Sequence, residues 1–300
     1  MQKVIVVLGP TGVGKTKLSI ELAKIYDGEI INADSMQIYK ELNIGTAKIT
    51  ESEKENIPHH LFDIKEVNEE YSIYDYQSDC RKMINTISQK GKMPILVGGT
   101  GLYIKSALYD YKLNYDNNNI NTYDELTNEE LYNKLISIDK EAEGKIDKFN
   151  RRRLVNAINY FKKNNTSIIN NKTSDLLYNV VFVGITTDRD ILYSNINKRV
   201  DKMIEEGLVE EVKKFYKKNI YTKPLTGGIG YKELYEYFEG KVSLEVAIEN
   251  IKRNSRRYAK KQYTFFNNQL PVNWIWTDYS NFDMLMDDVC CIIDETMEWW

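Results

Sequence analysis

The chain has 300 residues, 42% of them hydrophobic and 28% charged, and a formal net charge of −3. That length and composition suit one large globular domain, or one domain carrying an insertion, that folds on its own around a sizeable core. No apolar run approaches the roughly 20 residues needed to span a bilayer, so a cytoplasmic protein with no membrane partner is expected. The three cysteines, Cys80, Cys290 and Cys291, fit neither a disulfide framework nor a Cys-x-x-Cys site, and His59 and His60 have no third ligand with which to hold a metal. Reduced, buried thiols and structural or substrate-facing imidazoles are the expectation.

In chain order, VIVVL at 4–8 reads as a buried strand, GPTGVGKT at 9–16 follows it, and KTKLSIELAKIY from Lys15 sets Leu18, Leu22 and Ile25 on one helical face. EIINA at 29–33 is a second strand. Ser72 opens a helix of about 18 residues, and PILVG at 94–98 is a further strand. Strands alternating with helices predict a parallel sheet. From Tyr111 to Asn128 the chain is rich in Asn and Tyr, polar and aperiodic, which predicts a linker or loop. Short helical patterns run on to residue 163, VVFVGIT at 180–186 is a buried strand, and the remainder is mostly helical with a late strand at VNWIW. The predicted architecture is α/β: a P-loop-containing parallel-sheet core from 1–110 and 179–300, interrupted at 111–178 by a small helical insertion. Seven carboxylates and no lysine or arginine lie between Asp278 and Trp300, so the chain before them is net positive.

Gly9 to Thr16 match G-x-x-x-x-G-K-[ST] between a strand and an amphipathic helix, the setting that the motif requires. The backbone of Gly9, Thr11, Gly12, Val13 and Gly14 and the helix N-terminus form an anion nest. Lys15 adds a charge, and the Thr16 hydroxyl can hold Mg2+. A P-loop NTPase also uses a strand ending in an aspartate, whereas PILV runs into Gly98, Gly99, Thr100 and Gly101. The loop therefore suits a pyrophosphate that is not part of ATP. Asp34 stands at the carboxyl edge of the second strand, where open α/β sheets bind ligands. Its position alone fits a proton acceptor, or a cap or turn aspartate.

Eight blocks, GPTGVGKT, DSMQIYKELNIGTAKIT, IPHHLFDI, YSIYDYQ, PILVGGTGLYIKSALYD, TTDRDILYSNINKRVDKM, GIGYKELYEYFEG and NSRRYAKKQYTFF, follow one another along the chain. In this order they resemble the bacterial tRNA dimethylallyltransferase family over most of the chain, least at 111–178. The resemblance implies transfer of a dimethylallyl group from dimethylallyl diphosphate to N6 of adenine 37 in the tRNA anticodon stem-loop, with release of pyrophosphate. It further implies that Gly9 to Thr16 grip the pyrophosphate with Mg2+ at Thr16, that Asp34 is the general base, and that Lys15, Thr100 and Arg189 face the leaving group. Asp34, Ser35, Met36 and Gln37 would contact the extruded base.

The segment IKRNSRRYAKKQY places Lys252, Arg253, Arg256, Arg257, Lys260 and Lys261 in basic stripes on a helix. By itself this is a solvated face or a phosphate-binding one. The resemblance favours phosphate contact, through Arg256, Arg257 and Lys260 and through the Arg151, Arg152, Arg153 cluster in the insertion. A monomer is expected. The departures from the family fall in RNA-facing parts: the insertion is shorter than usual, RRxxRAL is replaced from Arg152 by a run containing Asn156, and Gly228 precedes Ile229 where QAIGYKE is common. Two other readings remain. One is a dimethylallyltransferase acting on free AMP, ADP or ATP, against which the basic helix argues. The other is a P-loop small-molecule kinase with Arg151 to Arg153 as a lid, which ATP consumption would reveal.

Overall fold

The first apolar run becomes β1 (Lys3–Leu8), with Val4 to Leu8 fully buried. A strand covered on both faces reads as an unbroken apolar run, as parallel strands do. The other strands are β2 (Gly28–Asn32), β3 (His59–His60), β4 (Met93–Gly98), β5 (Asn179–Thr186) and β6 (Asn273–Trp276). They pair in the order β3-β2-β4-β1-β5-β6, all parallel. The chain moves from β1 to one side of the sheet and later returns to the other. The P-loop thus opens at the switch point, where the carboxyl ends leave a crevice.

This computed structural model describes residues 1–111, 123–170, 175–277 and 279–297. Two compact units are present: Met1–Leu108 with Leu176–Trp300, and Tyr109–Asp175. Most of the Asn- and Tyr-rich stretch expected to be a loop lies outside the described residues, as do Asp278 and 298–300 of the acidic end.

In the larger unit, α1 (Lys15–Ile25) buries Leu18 and Leu22, but Ile25, its last residue, is exposed. Ser72 caps α2 (Ile73–Gln89) in a reciprocal pair with Asp75, which fixes the expected start. Then come α3 (Gly101–Leu108), α6 (Arg189–Glu205), α7 (Leu208–Lys217), α8 (Lys223–Gly227), α9 (Tyr231–Phe238), α10 (Leu244–Gln269) and α11 (Phe282–Met297). The acidic helix α11 turns Leu285, Met286, Val289 and Ile293 into the core and Asp283, Asp287, Asp288 and Glu295 outward, while Asp294 accepts the Tyr26 hydroxyl at 2.8 Å. Cys80 is buried and Cys291 exposed, so the thiols do not share one environment. His60 meets buried Glu29 at 2.6 Å, with Lys90 on the same carboxylate at 3.1 Å, which makes this imidazole structural.

The smaller unit contains α4 (Asn128–Ile138) and α5 (Arg151–Asn164), with Leu131, Leu135, Leu154, Ala157 and Ile158 in a core of its own. Arg151 donates to the carbonyls of Leu126, at 2.5 Å, and of Tyr123. It therefore holds its own loop. Arg152 and Arg153 are exposed.

One close approach links fold and site. A Cβ on Gly98 would lie 2.3 Å from the carbonyl carbon of Ala33. The Ala33 N–H donates to Val97 O at 2.8 Å, and the Thr100 N–H to Ala33 O at 3.1 Å. Gly98→Ala is expected to destabilise the fold by about 1–3 kcal/mol through overpacking against backbone. Urea unfolding at unchanged m-value would measure it.

Candidate active site

Three loops leave neighbouring strands at the carboxyl edge and converge. After β2, the buried Asn32 amide fixes the backbone of Asp34 from both sides: Oδ1 accepts the Asp34 N–H at 2.8 Å, and Nδ2 donates to Asp34 O and Leu61 O, each at 3.0 Å. Asp34 Oδ1 accepts the Met36 N–H at 2.9 Å. This is a turn formed by the aspartate itself, and Oδ2 has no hydrogen-bond partner among the described residues. After β4, Thr100 Oγ1 accepts the Ser35 N–H at 3.1 Å, so the two loops are joined beside the carboxylate.

After β1, Lys15 bends back so that its ammonium donates to Gly9 O at 3.1 Å and Pro10 O at 2.8 Å. Burial of this ammonium, helped by the nearby Arg199 guanidinium and opposed by Asp34, lowers its pKa from 10.5 to about 7. Thr16 is exposed in the first turn of α1.

Two helices close the site. From α6, Arg199 donates to Thr46 O at 3.3 Å, and the same carbonyl accepts from Gln37 Nε2 at 3.1 Å. Burial lowers the pKa of this guanidinium, and Asp34 partly offsets the effect. From α10, Tyr258 meets the Thr100 side chain, and burial, with Asp34 nearby, pushes its phenol up to about 12. One turn on, Gln262 accepts the Thr11 N–H at 3.3 Å and donates to Gly99 O at 3.0 Å, joining the P-loop to the Thr100 loop.

Asp34, Ser35, Gln37, Thr100, Lys15 and the loop from Gly9 to Thr16 thus come together. Met36 belongs to the same turn, its methyl against Gly228. Arg189 has no hydrogen bond or ion pair with them among the described residues. It is exposed at the start of α6, its guanidinium 5.1 Å from the centre of the Tyr193 ring, and the cation coupled to Lys15 and Asp34 is Arg199 instead. On α10, Arg256 donates to Asn197 at 2.6 Å and Lys252 pairs with Asp201 at 2.7 Å, so neither is available as expected of a solvent-facing stripe. Arg257, Lys260 and Lys261 are exposed, and their side chains have no polar partner among the described residues.

Arg199, Tyr258 and Gln262 were not singled out in the sequence. A signal existed for two of them. Arg199 follows Leu192 and Ile196 at helical spacing on an apolar stripe, and Gln262 lies between Ala259 and Phe266 on another. A polar residue on such a stripe needs a partner.

The model of the family described as IPP transferase matches residues 37–269. A protein named tRNA dimethylallyltransferase from Anoxybacillus flavithermus is 46% identical in an alignment 300 residues long that covers 98% of this chain and 96% of that protein. One of the same name from Bacillus subtilis is 47% identical, covering 91% of this chain and 90% of its own. Among solved structures, the full-length tRNA isopentenylpyrophosphate transferase of Bacillus halodurans superposes with a TM-score of 0.77 at 39% identity, covering 99% of each chain. A eukaryotic dimethylallyltransferase described as acting on tRNA gives 0.87 at 29% identity, covering 97% of this chain and 78% of that one.

The Lys15 environment has a measurable consequence. Between about 7 and 10.5 the unfolded chain binds more protons at this lysine than the folded one, so its contribution to stability rises with pH across that window. Anion binding reverses the preference. A bound pyrophosphate restores the ammonium, so binding takes up a proton and weakens as pH rises above 7. Calorimetry of inorganic pyrophosphate in buffers of different ionisation enthalpy should detect the uptake at pH 8, and Lys15→Met should abolish it.

Proposed function

The chain belongs to the IPP transferase family, and from that premise we propose that it transfers a dimethylallyl group from dimethylallyl diphosphate to N6 of adenine 37 in tRNA. The observation that carries this reading is the Asp34 carboxylate, one oxygen held in a turn and the other unbonded, next to two desolvated cations. The exocyclic amine of adenine is a poor nucleophile because its lone pair is delocalised into the ring. Asp34 Oδ2 accepts the N6 proton as the C–N bond forms. On the opposite side the allylic C–O bond breaks and charge collects on the pyrophosphate. Lys15, Arg199 and the backbone N–H groups of the P-loop are preorganised for that charge, and Thr100 and Tyr258 hold the carboxylate side of the cleft.

Thr16 is the ligand this chain offers to Mg2+. No group of three or more His, Cys, Asp or Glu suited to a metal occurs among the described residues, a donor set that fits an ion held mainly by diphosphate and water. Such an ion supplies further charge neutralisation to the leaving group.

A kinase reading lacks support: β4 ends at Gly98, where a metal-binding aspartate would stand. Transfer to a free adenylate would leave the unpaired cations of α10 without a role. Mass spectrometry of nucleosides from tRNA incubated with the protein and dimethylallyl diphosphate tests donor, acceptor and activity together.

Two variants, one single and one triple, separate the roles. Asp34→Asn keeps an oxygen for the Met36 N–H, so the turn survives, but the amide cannot accept the proton. Single-turnover transfer should slow by roughly 10²–10⁴ with tRNA affinity nearly unchanged. Replacing Arg257, Lys260 and Lys261 together by Ala should weaken tRNA binding and flatten its salt dependence by a slope of roughly 0.7–0.9 for each phosphate no longer neutralised. Pyrophosphate binding should be unaffected.

A further inference from the structure

Glu211 on α7 is a buried carboxylate, 7% exposed, with no cation paired to it among the described residues. Its Oε2 accepts the N–H groups of Asn43 at 3.1 Å and Ile44 at 2.8 Å. Its Oε1 accepts the N–H of Gly45 at 3.1 Å and the hydroxyl of Tyr231 at 2.7 Å. Three consecutive backbone donors aimed at one anion form a nest of the kind that usually receives a ligand. Here the ligand is the protein's own side chain. The fit is tight: a Cβ on Gly45 would lie 2.6 Å from the Tyr231 ring.

The next residue explains what the nest serves. Thr46 presents its carbonyl to Gln37 at 3.1 Å and to Arg199 at 3.3 Å. One carbonyl thus positions both a side chain of the Asp34 turn and the guanidinium coupled to Asp34 and Lys15, and its place in space is set by the three residues before it. We infer that Glu211, with Tyr231, is a positioning residue for the transfer reaction, acting through residues 43–46 on Gln37 and Arg199. It touches no substrate.

A carboxylate is required for a chemical reason. All four groups facing Glu211 are donors, and of these only the tyrosine hydroxyl can turn to accept. An amide at this position would present its NH2 to either the Asn43–Ile44 pair or Gly45, and at least one backbone N–H would lose its acceptor.

The inference rests on the prenyl-transfer reading, so wild-type protein is assayed alongside. Failure of the wild type to modify tRNA would refute that reading rather than this one. For Glu211→Gln, hydrogen exchange should show loss of protection confined to the amides of 43–45, with β1 and β4 unchanged. Single-turnover transfer should fall roughly tenfold to hundredfold, because displacement by about 1 Å at a reacting site has effects of that size. The affinity for tRNA should stay as it was. Tyr231→Phe removes one of the four donors and should give a smaller fall in the same direction. A folded Glu211→Gln protein with loosened 43–45 amides and a wild-type rate would overturn the proposal, as would loss of protection spread evenly over the sheet. If Glu211→Gln does not fold, Tyr231→Phe decides, and an undiminished rate in it rejects the role.

Discussion

The contact on which the site depends is between backbones. Ala33 and Gly98, at the ends of β2 and β4, lie so close that no side chain fits between them. Asp34 follows one and Thr100 comes two residues after the other, so their functional separation is fixed by strand pairing rather than by loop packing. The buried Asn32 amide and the Tyr76 hydroxyl, which donates to Asn32 O at 3.0 Å, consolidate the same strand end. A proton acceptor needs placement to a few tenths of an ångström, and sheet ladders supply that better than loops do.

The charges around this frame are arranged at some cost to the free protein. Lys15 and Arg199 are both partly buried, desolvation acts on each, and each lies within electrostatic reach of a single carboxylate, Asp34. Two desolvated cations against one anion leave an unmet demand for negative charge. On the proposed reading, that demand is met most fully by the pyrophosphate charge that develops as the allylic bond breaks.

Legibility in the sequence followed the range of the interactions. The P-loop, β1, β2, β4 and β5 were readable because their signals are local: an apolar run, a glycine pattern, a cap at Ser72. Asp34 was readable because it stands at a strand end beside that loop. Arg199, Tyr258 and Gln262 owe their roles to partners such as Thr46, Thr100 and Gly99, far away in the chain. A helix face shows that such residues point inward but not what they meet. The same limit applies to Arg189, expected at the site from the resemblance, and to Arg256, expected on a basic stripe from its spacing. Tyr193, near both guanidinium groups, and Asn197, bonded to Arg256, give them an intramolecular place instead.

Helix α10 has 26 residues, about 39 Å at the usual rise. Tyr258 and Gln262 face inward on it, and Arg257, Lys260 and Lys261 face outward. The inward pair is tied to the Thr100 loop and the P-loop, whereas the outward cations have no polar partner among the described residues. Substitutions can therefore accumulate on one side of this helix without disturbing the other. On the proposed reading, such a rod lets the strength of RNA binding be altered on the outward face while the inward contacts to the Thr100 and Gly99 loops stay fixed.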